Sequence, residues 1–318
     1  MEKNLSIISS LDNVPLSLLV VEPDGIPAKG ILQMVHGMAE HKERYLPMMH
    51  FLARSGYICI MHDNRGHGSS LKSPDDLGFM YESRGEGLVQ DAHDVTLWII
   101  ENYRNLPIFL FGHSMGSMIV RAYCRRHDDD IDGLVVCGSP SYVPAAGAGK
   151  ALCTTVATLS GGSSDKPGKG WRKISPVLTA LATGTFNKNF KDEGSPNAWI
   201  CSDRSVVDAY DADPLCGFPF TANGYYGLFS LMQECYSPSG WALNNPKLPV
   251  HFISGALDPC RISDAAFDAA VDHMKKAGYR EVTAKTYPGV RHEIHNDTSK
   301  QAVWTDVSRL LDYWLDRL

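Results

Sequence analysis

Residues 107–116 read Pro107-Ile108-Phe109-Leu110-Phe111-Gly112-His113-Ser114-Met115-Gly116. The run 107–111 predicts a short apolar strand, and 115–127 predicts a helix. Between them, Gly112-His113-Ser114-Met115-Gly116 fits G-x-S-x-G. At ordinary Gly and Ser usage, a chain of 318 residues matches that pattern by chance roughly one time in ten. The flanking strand and helix give the match its weight. A sharp turn between them forces the serine into a strained, exposed position, and the small residues at both ends let strand and helix approach closely. The rival reading is an ordinary strand-to-helix turn with a capping serine. It is the weaker one because the other parts of a nucleophilic site are also present.

Working outward, short apolar runs at 31–35, 57–61 and 134–137 alternate with helical patterns at 44–55 and 86–104. The latter carries Leu88, Ala92, Val95 and Ile99 on one face. This rhythm means βαβ units and a parallel sheet covered on both faces. Before it, 5–11 and 14–21 alternate around Asp12-Asn13 and read as a hairpin. The alternation stops from about 141 to 245, a stretch with a Gly/Ser/Lys loop at 161–170 and many aromatics. It resumes with strands at 250–253 and 282–287 and helices at 263–277 and 300–317. A sheet domain, 1–140 and 246–318, is therefore interrupted by an insertion at 141–245. The Gly/Ser/Lys loop is expected to be open to protease.

A serine hydroxyl needs an adjacent general base, and the base needs an orienting acid. In the order set by this elbow the acid follows the serine and the histidine comes last. Asp258 lies just past strand 250–253, where sites form in parallel sheets, and His292 lies on the loop leaving strand 282–287. Ser114, Asp258 and His292 are the expected nucleophile, acid and base. His295 is the alternative base. Asp264 is the alternative acid, but it opens a helix and reads as a first-turn charge. After strand 31–35 comes Val35-His36-Gly37-Met38-Ala39-Glu40-His41, which nominates the amides of Met38 and Met115 as an oxyanion hole.

These stretches resemble the serine hydrolases of the α/β-hydrolase superfamily, and closely the monoacylglycerol lipase and bacterial lysophospholipase-like branch. The resemblance rests on HGMAEHKERY at 36–45, DNRGHGSS at 63–70, GHSMGS at 112–117, SGALDP at 254–259 and RHEIHND at 291–297. Within the insertion it rests on FNKNF at 186–190 and DPLCGFPFTANGYY at 213–226. It implies the α/β-hydrolase fold: a mostly parallel, twisted sheet with helices on both faces. It also implies a mainly helical cap over the site, lodged between the fifth and the last pair of parallel strands. One position departs from the pattern. Residue 38 is Met where monoacylglycerol lipases often carry a small residue, which narrows the entrance beside the oxyanion loop.

The expected function is hydrolysis of small carboxylic esters such as a monoacylglycerol or lysophospholipid, through an acyl-enzyme and with neither metal nor organic cofactor. The acylation rate is expected to climb through roughly pH 6–7, where an unperturbed histidine titrates. The rival readings on the same scaffold are an iminopeptidase-like amide hydrolase, a thioesterase, a carbon–carbon bond hydrolase and, outside enzymes, a ligand-binding protein. Expected substrate-binding residues are Glu40, His41, Phe186, Phe190, Phe218 and Tyr225, although Glu40, His41 and Arg44 also read as shaping their own loop. His62, Asp63 and His67 read as part of a structural loop rather than as metal ligands, and Asp128-Asp129-Asp130 as a solvated turn.

The remaining composition sets outer limits. Net charge is -6, with 30 Lys and Arg against 36 Asp and Glu. This argues against nucleic acid as a partner and gives no electrostatic attraction to an anionic membrane. No run of about 18 apolar residues occurs, so no stable membrane insertion is expected. The N-terminal stretch lacks the pattern of a signal peptide. The eight scattered cysteines contain no C-x-x-C pair and read as free, packed thiols. A reducing, cytoplasmic location is the resulting expectation.

Overall fold

The computed structural model describes residues 1–163 and 168–318. The protease-sensitive loop expected at 161–170 has its centre, 164–167, outside the described residues. Eight strands form one sheet: β1 (Glu2–Ile8), β2 (Pro15–Val21), β3 (Gly30–Val35), β4 (Tyr57–His62), β5 (Ile108–His113), β6 (Gly133–Cys137), β7 (Val250–Gly255) and β8 (Val282–Tyr287). Their spatial order is β1-β2-β4-β3-β5-β6-β7-β8. β1 pairs with β2, and β2 with β4, in antiparallel fashion, while β3 to β8 run parallel.

Both faces of β3 to β7 are buried, which is why these strands read as mostly apolar runs, while the edge strand β8 is largely exposed. Ile31 and Val35 face a core built with α2 (Arg84–Asn102), α3 (Met115–His127) and α8 (Asp264–Ala277). Leu32 and Met34 face a second core with α1 (Leu46–Arg54) and α9 (Lys300–Leu315). The insertion carries α4 (Ala146–Leu159), α5 (Pro176–Thr183), α6 (Arg204–Ala212) and α7 (Ala222–Cys235). Its Cys153, Trp171, Leu178, Phe220, Tyr225 and Leu231 belong to the same apolar cluster as the α2–α3 face of the sheet. The insertion follows β6, the fourth parallel strand and not the fifth.

Three local expectations are corrected. β1 ends at Ile8, three residues earlier than its alternation suggests. The connection is a wider loop closed by Ser9 N–H on Val14 O, because Ser9 and Asp12 are taken by Arg65 and Ser10 by Asp94. The helix expected at 44–55 spans Leu46–Arg54, and a 3-10 turn over Lys42–Tyr45 precedes it. Asp128 is not in a solvated turn: it is fully buried and accepts from the amides of Asn244 and Asn245 and from Tyr279 Oη, tying the end of the insertion to the end of α3.

The topology decides where the site lies. The chain lays β4 on one side of β3 and then returns to lay β5 on the other. In open α/β sheets such a switch point opens a crevice at the carboxyl ends of the two strands. The loop 36–41 leaves the end of β3, and Ser114 leaves the end of β5.

Candidate active site

Ser114 sits between β5 and α3 at φ 53, ψ -118, a conformation uncommon for a residue with a Cβ. The flanking glycines make the turn possible. A Cβ on Gly112 would stand 2.4 Å from Gly116 O, and one on Gly116 would stand 2.2 Å from Val35 O. Ser114 N–H donates to Cys137 O at 3.0 Å, and its carbonyl accepts from Ser117 Oγ at 2.6 Å. Its Oγ makes no hydrogen bond among the described residues. Met115 is the first residue of α3, so its N–H has no intrahelical acceptor.

Asp258 and His292 come to the same edge of the sheet from the loops after β7 and β8. Asp258 Oδ1 lies 2.9 Å from His292 Nδ1 and also accepts from Cys260 N–H at 2.8 Å. Burial alone would discharge His292, but the Asp258 carboxylate outweighs it and holds the imidazole above the ordinary histidine value. The ring lies against Trp199 and His113, with centroids 5.0 and 4.7 Å away. Its Nε2 is 4.0 Å from Cys260 Sγ. Ser114 and His292 line one cavity.

His295 takes no part in that pairing. It is fully buried, stacks on Tyr45 at 4.4 Å and is kept well below the ordinary histidine range, first by burial and then by His113. Asp264 is exposed in the first turn of α8 and pairs with Arg261.

The loop after β3 is held from below by two buried residues. His36 Nε2 accepts from Asn64 N–H at 2.9 Å, so its Nδ1 carries the proton donated to Gly37 O at 2.8 Å. Burial holds His36 neutral, down to about 4. A trans peptide points its N–H opposite to its C=O, so Met38 N–H is directed away from that grip. Glu40 Oε1 accepts from Gly37 N–H at 2.6 Å and from Tyr45 Oη at 3.0 Å. His113 Nδ1 lies 3.3 Å from the same oxygen, and Arg44 donates to Oε2 at 2.7 Å. Burial pushes the Glu40 carboxyl up, but His113 and Arg44 outweigh it and hold it well below the carboxylate range. Arg44 also grips Glu293 with two 2.7 Å bonds. Gly37 is required here because a Cβ would meet Glu40 Oε1 at 2.6 Å and Ser114 Cβ at 3.0 Å.

Two cavities meet at Ser114. The wider, about 610 Å³, includes Glu40, Asn187, Asn197 and Tyr210 among its walls, with Phe186, Trp199, Phe218 and Tyr225. The narrower, about 230 Å³, is apolar and includes Met38, Met115, Met118, Phe229 and Met232. Of the residues expected to contact substrate, Glu40, Phe186, Phe218 and Tyr225 line the wider cavity. His41 and Phe190 line neither. His41 is spent on Glu43 (2.7 Å) and Asp213 (2.9 Å). Burial opposes its charge, but hydrogen bonds to Cys216, Glu43 and Asp213 push it up to about 11. Phe190 lies beneath the Arg291 guanidinium at 4.1 Å. Met118 and Met232 of the narrow cavity carried no sequence signal of their own, and Trp199 and Tyr210 stood out only as members of the insertion's run of aromatics.

His62, Asp63 and His67 form a buried structural loop. Asp63 accepts from Lys42 N–H and Nζ and from Ser69 N–H. Asp258, Cys260 and His292 are close enough to share an ion, as are His93, His127 and Asp130. In the latter group the two rings stack at 3.6 Å and 12°, so no ion can lie in both ring planes. All eight cysteines are buried, free thiols. Among the described residues no helix is long and apolar enough to cross a membrane.

Comparison with known proteins adds to this geometry. The profile of the Hydrolase_4 family, described as serine aminopeptidase S33, matches residues 26–299. A monoacylglycerol lipase of Mycolicibacterium smegmatis is 26% identical over 286 residues, covering 90% of this chain and 89% of its own. A monoglyceride lipase homolog of monkeypox virus is 31% identical over 310 residues, covering 96% of each. The crystal structure of a thermostable carboxyl esterase from Bacillus coagulans, in complex with glycerol, superposes with a TM-score of 0.88 at 26% identity, covering 99% of both chains.

Proposed function

This chain belongs to the Hydrolase_4 family of α/β-hydrolases, and we propose that within it the protein is a serine ester hydrolase using Ser114, His292 and Asp258. The observation that carries this reading is the pairing at one cavity. Ser114 stands on a strained turn, and His292, 2.9 Å from the Asp258 carboxylate, lines the same space. The esterase and monoacylglycerol lipase relatives support the ester class.

His292 Nε2 takes the proton as Ser114 Oγ attacks the acyl carbonyl. Rotation of the serine side chain closes that hydrogen bond, which is commonly open before substrate binds. Asp258 stabilises the imidazolium. The carbonyl oxygen, now an anion, is held by Met38 N–H and Met115 N–H. His292 returns the proton to the leaving alkoxide, and a water activated by the same nitrogen then hydrolyses the acyl-enzyme.

The contrast between the two cavities orients the ester. The acyl chain enters the methionine-lined cavity of about 230 Å³, and the alcohol occupies the wider, more polar one. At roughly 30 Å³ per water the narrow cavity equals about eight waters, which suits a short to medium chain. Residues 141–245 act as the cap over this space, and 1–140 with 246–318 as the catalytic core. The eight buried free thiols are in keeping with a reducing, cytoplasmic location.

The aminopeptidase reading is disfavoured by charge. A free substrate ammonium calls for an unspent carboxylate, yet both acids in the wider cavity, Glu40 and Glu293, are already paired with Arg44. The test is a panel of monoesters of increasing acyl length beside aminoacyl amides, scored by kcat/KM. The expected optimum lies at short to medium length, each buried methylene adding up to ~0.8 kcal/mol until the cavity ends. A rise that continues to long chains overturns the cavity assignment, and preferred cleavage of aminoacyl amides overturns the ester class.

A further inference from the structure

The loop that carries Met38 is anchored from two sides. From the core, His36 holds Gly37 O and Glu40 holds Gly37 N–H. From the insertion, a second grip closes on the residue after Met38. Ala39 O accepts from Tyr210 Oη and from Gly217 N–H, both at 2.9 Å. Ala39 has φ 51, a left-handed conformation that costs energy for a residue with a Cβ and persists only where neighbours enforce it. The enforcing neighbours come from the insertion, Tyr210 lying 171 residues away in sequence.

Tyr210 is itself fixed. It is 7% exposed on α6, and the Arg44 guanidinium lies over its ring at 4.8 Å. The same Arg44 joins Glu40 to Glu293. Gly217 has φ 66, and a Cβ there would come 3.2 Å from the Tyr210 ring, so a glycine lets its N–H and the tyrosine hydroxyl reach one carbonyl together. Beside this contact the ion pair of His41 with Asp213 joins the loop to the same stretch of the insertion. The insertion reaches the histidine loop as well, where Ile200 O accepts from Glu293 N–H at 2.7 Å and Arg291 donates to Ala198 O at 2.7 Å.

We propose that Tyr210 is a positioning residue for the reaction: through Ala39 it sets the peptide that presents the Met38 donor, so that the oxyanion site is complete only while the insertion is seated on the core. The proposal rests on the oxyanion role assigned to Met38 above. It gives the insertion a part in the chemistry beyond roofing the cavity. Catalysis and seating of the cap are then one event, and substrate cannot be turned over with the cap displaced even when Ser114, His292 and Asp258 are intact.

The experiment is Tyr210→Phe, which keeps the ring under Arg44 and removes only the hydroxyl. Two ligands are compared: an alkyl trifluoromethyl ketone, which adds to the serine and places an anionic oxygen in the oxyanion site, and the matching alkyl methyl ether, which binds the cavity without adding. The expected result is a kcat lowered by roughly 10-fold, less than the ~10²–10³ of deleting a donor outright because Gly217 N–H remains. KM and ether affinity stay unchanged, and affinity for the trifluoromethyl ketone falls by the same factor as kcat. Tyr210→Trp, which cannot place a donor at the same point, should match or exceed the loss. Wild-type kcat and ketone affinity in Tyr210→Phe overturn the proposal. So does a loss confined to KM and ether binding, which would make Tyr210 a substrate contact. Failure of the underlying reading looks different: Ser114→Ala would then keep its activity on the same ester.

Discussion

Acidification should unfold this protein more steeply than its carboxylates alone would. His36, His62 and His67 are fully buried, and burial pulls their values from 6.5 to about 4, about 3 and about 3. His295 is also held well below the ordinary range, by burial first. In the unfolded chain each titrates near 6.5. Between pH 6.5 and the depressed folded values the unfolded state therefore binds more protons, so stability rises with pH and is lost as pH falls. His41 and His292 have raised values, so they are protonated in both states below pH 6 and add no slope there. At pH 5, 1.5 units below the unfolded value, His36, His62 and His67 each contribute a loss of ~2 kcal/mol at ~1.4 kcal/mol per unit. His36, His62 and His67 together reach ~6 kcal/mol, comparable to the whole stability of many domains. The assay is urea unfolding followed by tryptophan fluorescence at pH 7.5, 6.5, 6 and 5. The slope between pH 6 and 5 should correspond to at least three protons taken up on unfolding, since His127, His251 and His273, also lowered first by burial, act in the same direction. His62→Leu, which replaces a ring with no hydrogen-bond partner on either nitrogen among the described residues, should reduce the slope by one. A slope of one proton or less would mean that these histidines are not held neutral in the folded protein.

The pH–rate profile provides a second check. Because Asp258 raises His292 above 6.5 and the base must be neutral, the limb of kcat/KM should lie above pH 6.5, higher than the pH 6–7 read from an unperturbed histidine. Asp258→Asn removes the raising charge, so the limb should move down while kcat falls by ~10⁴; a wild-type limb below pH 6 would count against the pairing. Gly37→Ala puts a Cβ 2.6 Å from Glu40 Oε1 and 3.0 Å from Ser114 Cβ. The displaced loop should lower kcat by ~10²-fold with KM little changed, and full kcat in steady-state assays would show that the loop tolerates the shift.

What could be read in the sequence was mostly local. Strand β8 and helix α3 fall at 282–287 and 115–127 as their patterns predict, and the loops carrying Ser114, Asp258 and His292 follow from strand ends alone. The hairpin of β1 with β2 forms as its alternation predicts, but its loop is wider than Asp12-Asn13 because Ser9, Ser10 and Asp12 are drawn into bonds with Arg65 and Asp94, which periodicity does not encode. Asp128 looked solvated because an acidic run gives no hint of Tyr279 or of two amides more than a hundred residues away. The same holds for Arg44 with Glu293, 249 residues apart, and for Tyr210 with Ala39. A sequence shows which residues are able to pair. Only the folded topology, with its switch point between β3 and β5, shows which pairs form.

In the proposed mechanism Ser114 carries the acyl group during turnover. Mixing the enzyme with a p-nitrophenyl ester under pre-steady-state conditions, quenching in acid and mapping peptides by mass spectrometry tests it directly. The expected result is a burst of one p-nitrophenol per chain, an acyl adduct on the peptide containing Ser114, and neither burst nor adduct in Ser114→Ala. An adduct on another residue, or a burst that survives Ser114→Ala, would contradict it.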